Sequence, residues 1–476
     1  IMHNATYDAG WLRAEGVEIK GRIIDTMVTG ALVDENRWTF SLDSLARDYA
    51  GIRKDEKLLK AAALERGLNP KSEMYKLPPK FVGGYAEMDA VATLELWRAL
   101  KVHLDKDELW DVWNLEIGLI PCMLDMRTKG VRVDLDKAEQ AKGYFKKKSK
   151  EIKDEIYRQT KIKVEPWAAA SVATVFDELG LVYPTSDDAQ GDLLRKSGVP
   201  SFTKQWLSAN SHPVAQMIVK LREFDKAETS FIDSILKHEH KGRIHCEFHQ
   251  LRSDGGGTVT GRFSSSNPNL QQIPARDPEI KKLIRGLFLP EEGTKWGSFD
   301  YSSQEPRLLV HFAASLKGEN KHPIVDNIVE EYNTGDVDLH QMVADLAGMT
   351  RKEAKVVNLG IMYGMGKGKL GDQLGISTEE AGDLLQKHQD KVPFVKNLAN
   401  LASRQAEKTG QIRTLLGRRC RFNMWEPRTF GYSKPLEYEA AMKEYGQPLR
   451  RAFTYKALNK LIQGSAADQT KKAMAD

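Results

Sequence analysis

Residues 298–311 read SFDYSSQEPRLLVH, two apolar runs parted by a short polar break. The break predicts a strand ending at Asp300, a turn through Ser302 and Ser303, and a helix that LLVHFAA continues. A carboxylate released at a strand end is placed to hold a divalent cation against phosphates. Glu305 and Arg307 open the helix that follows, so a second acid can face the same ligand. Taken alone, the pattern is equally that of any acid at a strand-to-helix turn.

A second stretch sharpens the reading. In RKEAKVVNLGIMYGMG, Arg351, Lys355, Leu359 and Tyr363 lie four apart, which on a helix gives one slowly drifting face about 18 Å long. That is the length of a nucleoside triphosphate. Two cations at the start of the face suit phosphates, the helix N-terminus adds to the attraction, and an aromatic before Gly364 suits a base. The bland alternative is a solvated cationic face running into a buried tyrosine.

Together the two stretches resemble motifs A and B of family A DNA polymerases, the bacterial DNA polymerase I kind and its bacteriophage relatives. The resemblance extends through TVTGRFSSSNPNLQQIP at 258–274, FDYSSQEPRLLVHFA at 299–313, DLH at 338–340, the Arg-Lys-Tyr helix and LIQGSAADQTKKAM at 461–474. QEPR and NLGIMYGMGKGKL look more phage-like than bacterial. The implied fold is α+β and α/β: a ribonuclease H-like 3′–5′ exonuclease domain followed by a right-hand polymerase. Its expected parts are the exonuclease at 1–105, thumb at 106–240, palm at 241–339 and 426–476, and fingers at 340–425.

Composition agrees with a soluble, multidomain protein: 476 residues, 41% hydrophobic and 29% charged. No apolar run approaches the about 20 residues of a membrane helix, and nothing at the start reads as a signal peptide, so a cytoplasmic protein is expected. Cys122, Cys246 and Cys420 have neither disulfide nor zinc spacing. The net charge of +5 suits a phosphate-binding surface only if the charges cluster. They do: residues 137–163 hold ten Lys or Arg against four acids, a helix able to track a duplex backbone, or else an ordinary solvated one.

Near the start, HNATYD places Asn4 and Asp8 four apart, and YAEMD places Tyr85 and Asp89 likewise. As bare pairs they are as often caps or surface residues. They resemble the second and third motifs of the family's proofreading exonuclease, which implies Asp8 and Asp89 as metal ligands and Tyr85 as the residue orienting the attacking water. The first motif, an Asp-x-Glu pair, would lie before residue 1. The stretch LNPKSEMYKLPPKFVGG between the pairs reads as an extended connector.

The resemblance also implies two Mg²⁺ ions about 3.5–4 Å apart in the polymerase site. Asp300 would bridge them and the Tyr301 carbonyl would help hold one. Arg351, Lys355 and His340 would take the triphosphate, Lys355 also serving as an acid toward pyrophosphate. Glu305 would exclude a ribose 2′-hydroxyl, and Tyr363 would pack by the templating pair. Arg262, Gln272, Asn459 and Gln463 would meet primer–template DNA. Expected partners are therefore that DNA and dNTPs, with replisome proteins or a processivity factor left open. Leu359 stands where many relatives carry Phe or Tyr, and Pro306 where an aliphatic residue is usual. The family's His-Asp-Glu segment would fall after Asp476, so the sequence is expected to be a piece of a longer polypeptide that by itself polymerises poorly or not at all. A single-subunit RNA polymerase and a non-catalytic DNA-binding protein of the same fold are the alternatives, Glu305 and the exonuclease motifs counting against the first.

Overall fold

Short polar caps and prolines decide where the long helices begin. Asp25 accepts from the amides of Met27 and Val28 at the start of Thr26–Val33, and Asp134 caps Leu135–Thr160 through Lys137 N. Pro79, Pro213 and Pro393 open the helices Pro79–Lys106, Pro213–Lys226 and Pro393–Thr409, where a missing amide costs nothing. Pro79 overturns one expectation. The segment PKFVGG is not an extended connector but the first turns of a 28-residue helix. Buried Ala92, Leu96, Leu100 and Leu104 on that helix hold it to the core, so packing outweighs the low helix propensity of Gly83 and Gly84.

The computed structural model describes residues 1–476 apart from 186–197, 276, 336, 363 and 430–432, and the side chain of Leu346. The chain forms two compact units. One combines Ile1–Thr128, Phe248–Ser264 and Phe299–Asp476; the other combines Lys129–Glu247 and Ser265–Ser298. No helix among the described residues is long and apolar enough to cross a membrane.

In the second unit the basic segment is the helix Leu135–Thr160, as its spacing predicts. It lies beside Pro213–Lys226 through Phe145 and Phe224, whose rings are 5.9 Å apart. A four-stranded antiparallel sheet runs Glu239–His240, Arg243–Ile244, Val131–Val133, Phe288–Leu289, with Val131 opposite Ile244 and Val133 opposite Phe288. Five of the eight cations on the long helix are tied to acids: Lys137 to Asp134, Lys142 to Asp233, Lys146 to Glu228, Lys148 to Glu151 and Arg158 to Glu155. Lys147 and Lys150 are exposed and, with Lys153, stand outside any ion pair among the described residues.

The first unit has two main cores. Residues 1–128 wrap the Pro79–Lys106 and Trp110–Lys129 helices around Phe40, Leu45 and Trp113. Within residues 1–105 the β-type pairing among the described residues is a single parallel bridge, Met2 to Asp25. The other core joins the helices Gln304–Ala314, Leu339–Ala347, Arg351–Met362, Pro393–Thr409 and Ala457–Ala475.

A buried charge cluster joins these parts. Glu116 Oε1 accepts from Lys471 Nζ at 2.7 Å and from Arg418; Arg418 Nε donates to Asp468 Oδ1 at 2.8 Å. All four side chains are 0–5% exposed. Gln250 Nε2 gives Glu116 Oε2 a further bond at 2.7 Å, and Lys471 Nζ donates to the Gln250 carbonyl at 2.6 Å. Burial would raise the Glu116 carboxyl, but the two cations hold it below the usual range. Burial pushes Lys471 down to about 8 even against Glu116. Removing one member leaves an unmatched buried charge, with a cost of about 3–5 kcal/mol. Glu116→Gln and Lys471→Met are each expected to destabilise by that order in denaturant unfolding. The double variant is expected to lose at least about 1 kcal/mol less than the sum, and strict additivity would contradict direct coupling.

Candidate functional site

The helix Arg351–Met362 starts on a reciprocal cap. Thr350 Oγ1 accepts from Glu353 N at 3.3 Å, while Glu353 Oε2 accepts from the Thr350 amide at 2.7 Å and its hydroxyl at 2.6 Å. Arg351 and Lys355 are exposed, and Leu359 is half-buried against the core. Tyr363 lies outside the described residues.

Asp338 ties this helix to the one before it. Its Oδ1 accepts from the amides of His340 at 2.9 Å and Gln341 at 3.2 Å, capping Leu339–Ala347, and its Oδ2 receives the Arg351 guanidinium at 2.6 Å. Against burial, these donors keep the Asp338 carboxyl below the usual range. His340 is thereby held close to both Arg351 and Lys355: its burial first, then their positive charges, lower its pKa from the ordinary value. Three of the residues expected to meet a triphosphate therefore lie on two adjoining helices, Arg351 and Lys355 in the first turns of Arg351–Met362 and His340 in the first turn of Leu339–Ala347. Asp338 itself was not singled out in the sequence beyond its place in DLH; an Asp two residues before His340 is the cap signal that identifies it.

Asp300 is placed differently from the expectation. The last strand before it is Phe288–Leu289, and no strand among the described residues pairs with 298–301. Without a ladder partner the extended segment stays open to solvent, with Phe299 98% exposed. Asp300 is exposed and enters no ion pair among the described residues. The turn after it does form: Ser303 sits at φ 51° and the helix Gln304–Ala314 follows, with Glu305 in its first turn. Pro306 falls at the third helical position, where its absent amide would have had no helical partner. Arg262 donates to Glu305. Arg307 instead donates to the Ser302 carbonyl at 3.1 Å and lies 4.6 Å over the Tyr332 ring, bracing the turn.

The donor set around Asp300 is one exposed carboxylate and the neighbouring Tyr301 carbonyl. Among the described residues no three His, Cys, Asp or Glu side chains converge as a metal cage. Oxygen donors of this kind suit a hard divalent cation.

The residues expected to meet DNA lie on both units. Asn459 and Gln463 share one face of Ala457–Ala475, Asn459 Nδ2 being buried with no hydrogen-bond partner. Gln272 is exposed at the end of a short turn, Leu270–Gln272, that Asn269 caps. Arg418, in the GRR turn, is wholly engaged in the buried cluster.

At the N-terminus, buried Asp25 draws the HNA segment into place, accepting from Asn4 N at 3.1 Å and Ala5 N at 2.7 Å. Asp8 is exposed in the first turn of Ala5–Ala14, its carboxyl raised by partial desolvation. Tyr85 and Asp89 lie one turn apart within Pro79–Lys106. Lys54, which belongs to neither motif, reaches both: its ammonium is 2.6 Å from Asp89 Oδ1 and 5.1 Å from the Tyr85 ring centre, with the side chain only 9% exposed. Against burial, Asp89 and Tyr85 hold that ammonium above the usual lysine range.

With this geometry in hand, comparison with known proteins is direct. Residues 135–476 match the family profile "DNA polymerase family A", and residues 1–105 match "3'-5' exonuclease". The chain is 35% identical to the DNA-directed DNA polymerase of Pseudomonas phage M6, over 99% of this chain and 74% of that protein. It is 30% identical to DNA polymerase DpoZ of Acinetobacter phage SH-Ab 15497, over 99% and 77%. Against DNA polymerase I of Treponema pallidum (strain Nichols) the identity is 29%, over 100% of this chain and 44% of that one. Among solved structures, the POL domain of Pol1 from M. smegmatis, in complex with DNA primer-template and dNTP, superposes with a TM-score of 0.77 at 26% identity, over 99% of this chain and 74% of that one. These matches do not support the alternatives of an RNA polymerase or a non-catalytic binder.

His3, beside Asn4, yields a prediction. Its Nδ1 lies 2.9 Å from Thr26 Oγ1, and burial lowers its pKa from 6.5 to about 4. The unfolded chain therefore binds this proton more tightly, so the contribution is complete above pH 6.5 and lost as pH falls toward 4. His3→Gln is expected to remove on the order of 3 kcal/mol of acid sensitivity across that window. Parallel pH dependences for wild type and variant in urea unfolding would contradict it.

Proposed function

Since the chain belongs to DNA polymerase family A, being a DNA-directed DNA polymerase with a 3′–5′ exonuclease domain, we propose that it adds dNTPs to a primer 3′ end at a site built from Asp300, Glu305, His340, Arg351 and Lys355. The observation that carries this reading is that Arg351 and Lys355, in the first turns of one helix, and His340, in the first turn of the adjoining one, are tied together through Asp338 and Asn358. Two guanidinium or ammonium groups and an imidazole beside a helix N-terminus form a strong trap for a triphosphate.

In this reading Arg351 and Lys355 bind the phosphate oxygens and hold the α-phosphorus in line with the primer 3′-oxygen. Lys355, with a proton to give, is the donor toward departing pyrophosphate. Glu305, held by Arg262, closes the space at sugar C2′ and so selects deoxynucleotides. Leu359 lies on the base side of these cations, and Tyr363 is the residue assigned to the templating pair. Asp300 and the Tyr301 carbonyl would hold Mg²⁺. When bound, the metal lowers the pKa of the 3′-hydroxyl and neutralises charge on the triphosphate. Arg262, Gln272, Asn459 and Gln463 face primer–template DNA, and the unpaired lysines of Leu135–Thr160 track its backbone. Residues 106–240 serve as thumb, 241–339 and 426–476 as palm, and 340–425 as fingers. In the exonuclease domain Asp8 and Asp89 are metal ligands and Tyr85 orients water. Such an enzyme works where dNTPs and DNA are, in a bacterial or infected-host cytoplasm. Replisome proteins or a processivity factor are further partners this reading allows.

Two sets of substitutions should separate the ligands. Arg351→Ala and Lys355→Ala are each expected to weaken binding of the correct dNTP to the primer–template complex roughly 10- to 100-fold, leaving DNA affinity within about twofold. Lys147→Ala, Lys150→Ala and Lys153→Ala combined should do the reverse, lowering the slope of log affinity against log salt by about 2–3. Unchanged dNTP affinity in the first set, measured by equilibrium titration, would refute the triphosphate site.

A further inference from the structure

Behind His340 lies a hydrogen-bonded row that reaches from the site into the core. Asn358 Nδ2 is 3.0 Å from His340 Nδ1, and Asn358 Oδ1 is 2.6 Å from His388 Nε2. The three residues come from three helices, Leu339–Ala347, Arg351–Met362 and Thr378–Lys391. Asn358 is 1% exposed and His388 0%. None of the sequence motifs includes His388.

The inner end of the row decides which way its hydrogens point. His388 Nδ1 is buried with no hydrogen-bond partner, and burial lowers the pKa of His388 to about 4, so the ring is neutral and carries one N–H. If that hydrogen sat on Nδ1, a donor would be buried unmatched and Nε2 would need a donor from Asn358. If it sits on Nε2, the hydrogen is used, and the orphan is a bare lone pair. An unmatched buried donor is the costlier and rarer of the two. His388 Nε2–H therefore donates to Asn358 Oδ1, which turns the amide so that Nδ2–H donates to His340 Nδ1. An imidazole that accepts at Nδ1 and is neutral must carry its hydrogen on Nε2.

We propose that Asn358 and His388 are positioning residues of the polymerase site, fixing His340 as the Nε2–H tautomer so that it presents a hydrogen-bond donor to the triphosphate. The proposal rests on reading His340 as a phosphate contact. It explains why a buried histidine stands behind the site although it touches no substrate. The opposite tautomer would meet a phosphate oxygen with a lone pair and repel it. The charged groups acting on His340 are Asp338, Arg351 and Lys355, and none of them sets the tautomer, because the Nδ1 position is taken by Asn358.

The test uses protein labelled with ¹⁵N at its 11 histidines, the His340 signals being assigned by their loss in His340→Gln. Wild type is expected to show a protonated Nε2 and a bare Nδ1 at His340 near pH 8. His388→Phe, which removes the donor to Asn358 Oδ1, should mix the two tautomers and weaken dNTP binding roughly three- to tenfold. His388→Gln keeps an N–H donor and should restore both. Asn358→Leu should act as His388→Phe does. A protonated Nδ1 in wild type, or an unmoved tautomer in His388→Phe with the fold intact by circular dichroism, would overturn the proposal. A shifted tautomer with unchanged dNTP affinity would instead overturn His340 as a phosphate donor. Loss of dNTP affinity in Arg351→Ala remains a separate measure of the site as a whole.

Discussion

Four charges with almost no access to water, Glu116, Arg418, Asp468 and Lys471, set the terms for the unit that carries the site. Each would be costly to bury alone, by several kcal/mol. Together they balance, two against two, and Gln250 takes up remaining hydrogen-bonding capacity at Glu116 and Lys471. The constraint is directional, because the guanidinium must meet both carboxylates at once. It fixes the helix Ala457–Ala475 against Trp110–Lys129 and the hairpin Gln411–Arg413 and Arg419–Arg421. Asn459 and Gln463 ride on that helix. Gln304 Nε2 donates to its Ala466 carbonyl at 3.1 Å and is equally close to Gln469 Oε1, so the helix bearing Glu305 takes its position from the same element.

The phosphate end of the site follows a different logic. Capping does the work there: Asp338 satisfies the first amides of one helix and neutralises the first cation of the next, and the Thr350–Glu353 box satisfies the start of the second. Exposed Arg351 and Lys355 lie where the helix dipole already favours an anion. The row from His340 to His388 ties the same corner into the core. Arg351 and Lys355 reach solvent there beside the part-exposed Asp338 carboxylate, and the Asn358 and His388 behind them are buried.

Much of this organisation is legible in the sequence. The four-residue spacing of Arg351, Lys355 and Leu359 gives the helix Arg351–Met362, and the basic run at 137–163 gives Leu135–Thr160, because local periodicity alone decides such elements. Asp300 reads as a strand end but has no strand beside it among the described residues, because a strand depends on a partner elsewhere in the chain. PKFVGG reads as extended but is helical, because burial further along its helix outweighs two glycines. Lys54, Asn358 and His388 could not be read at all. Their importance comes from contacts 35, 18 and 30 residues away, and a lone lysine, asparagine or histidine carries no local sign of such a partner. Arg418 is likewise silent in the sequence, and its burial between Glu116 and Asp468 makes it a structural ion pair.

The account stands or falls on the exposed carboxylate at the turn before Gln304–Ala314. Its most direct test is primer extension by the intact gene product carrying Asp300→Ala, with DNA and dNTP binding measured alongside. The expected result is extension reduced by at least about a thousandfold, corresponding to about 4 kcal/mol of lost transition-state stabilisation, with primer–template affinity retained. Extension at the wild-type rate would contradict the central claim that this acid serves the chemistry.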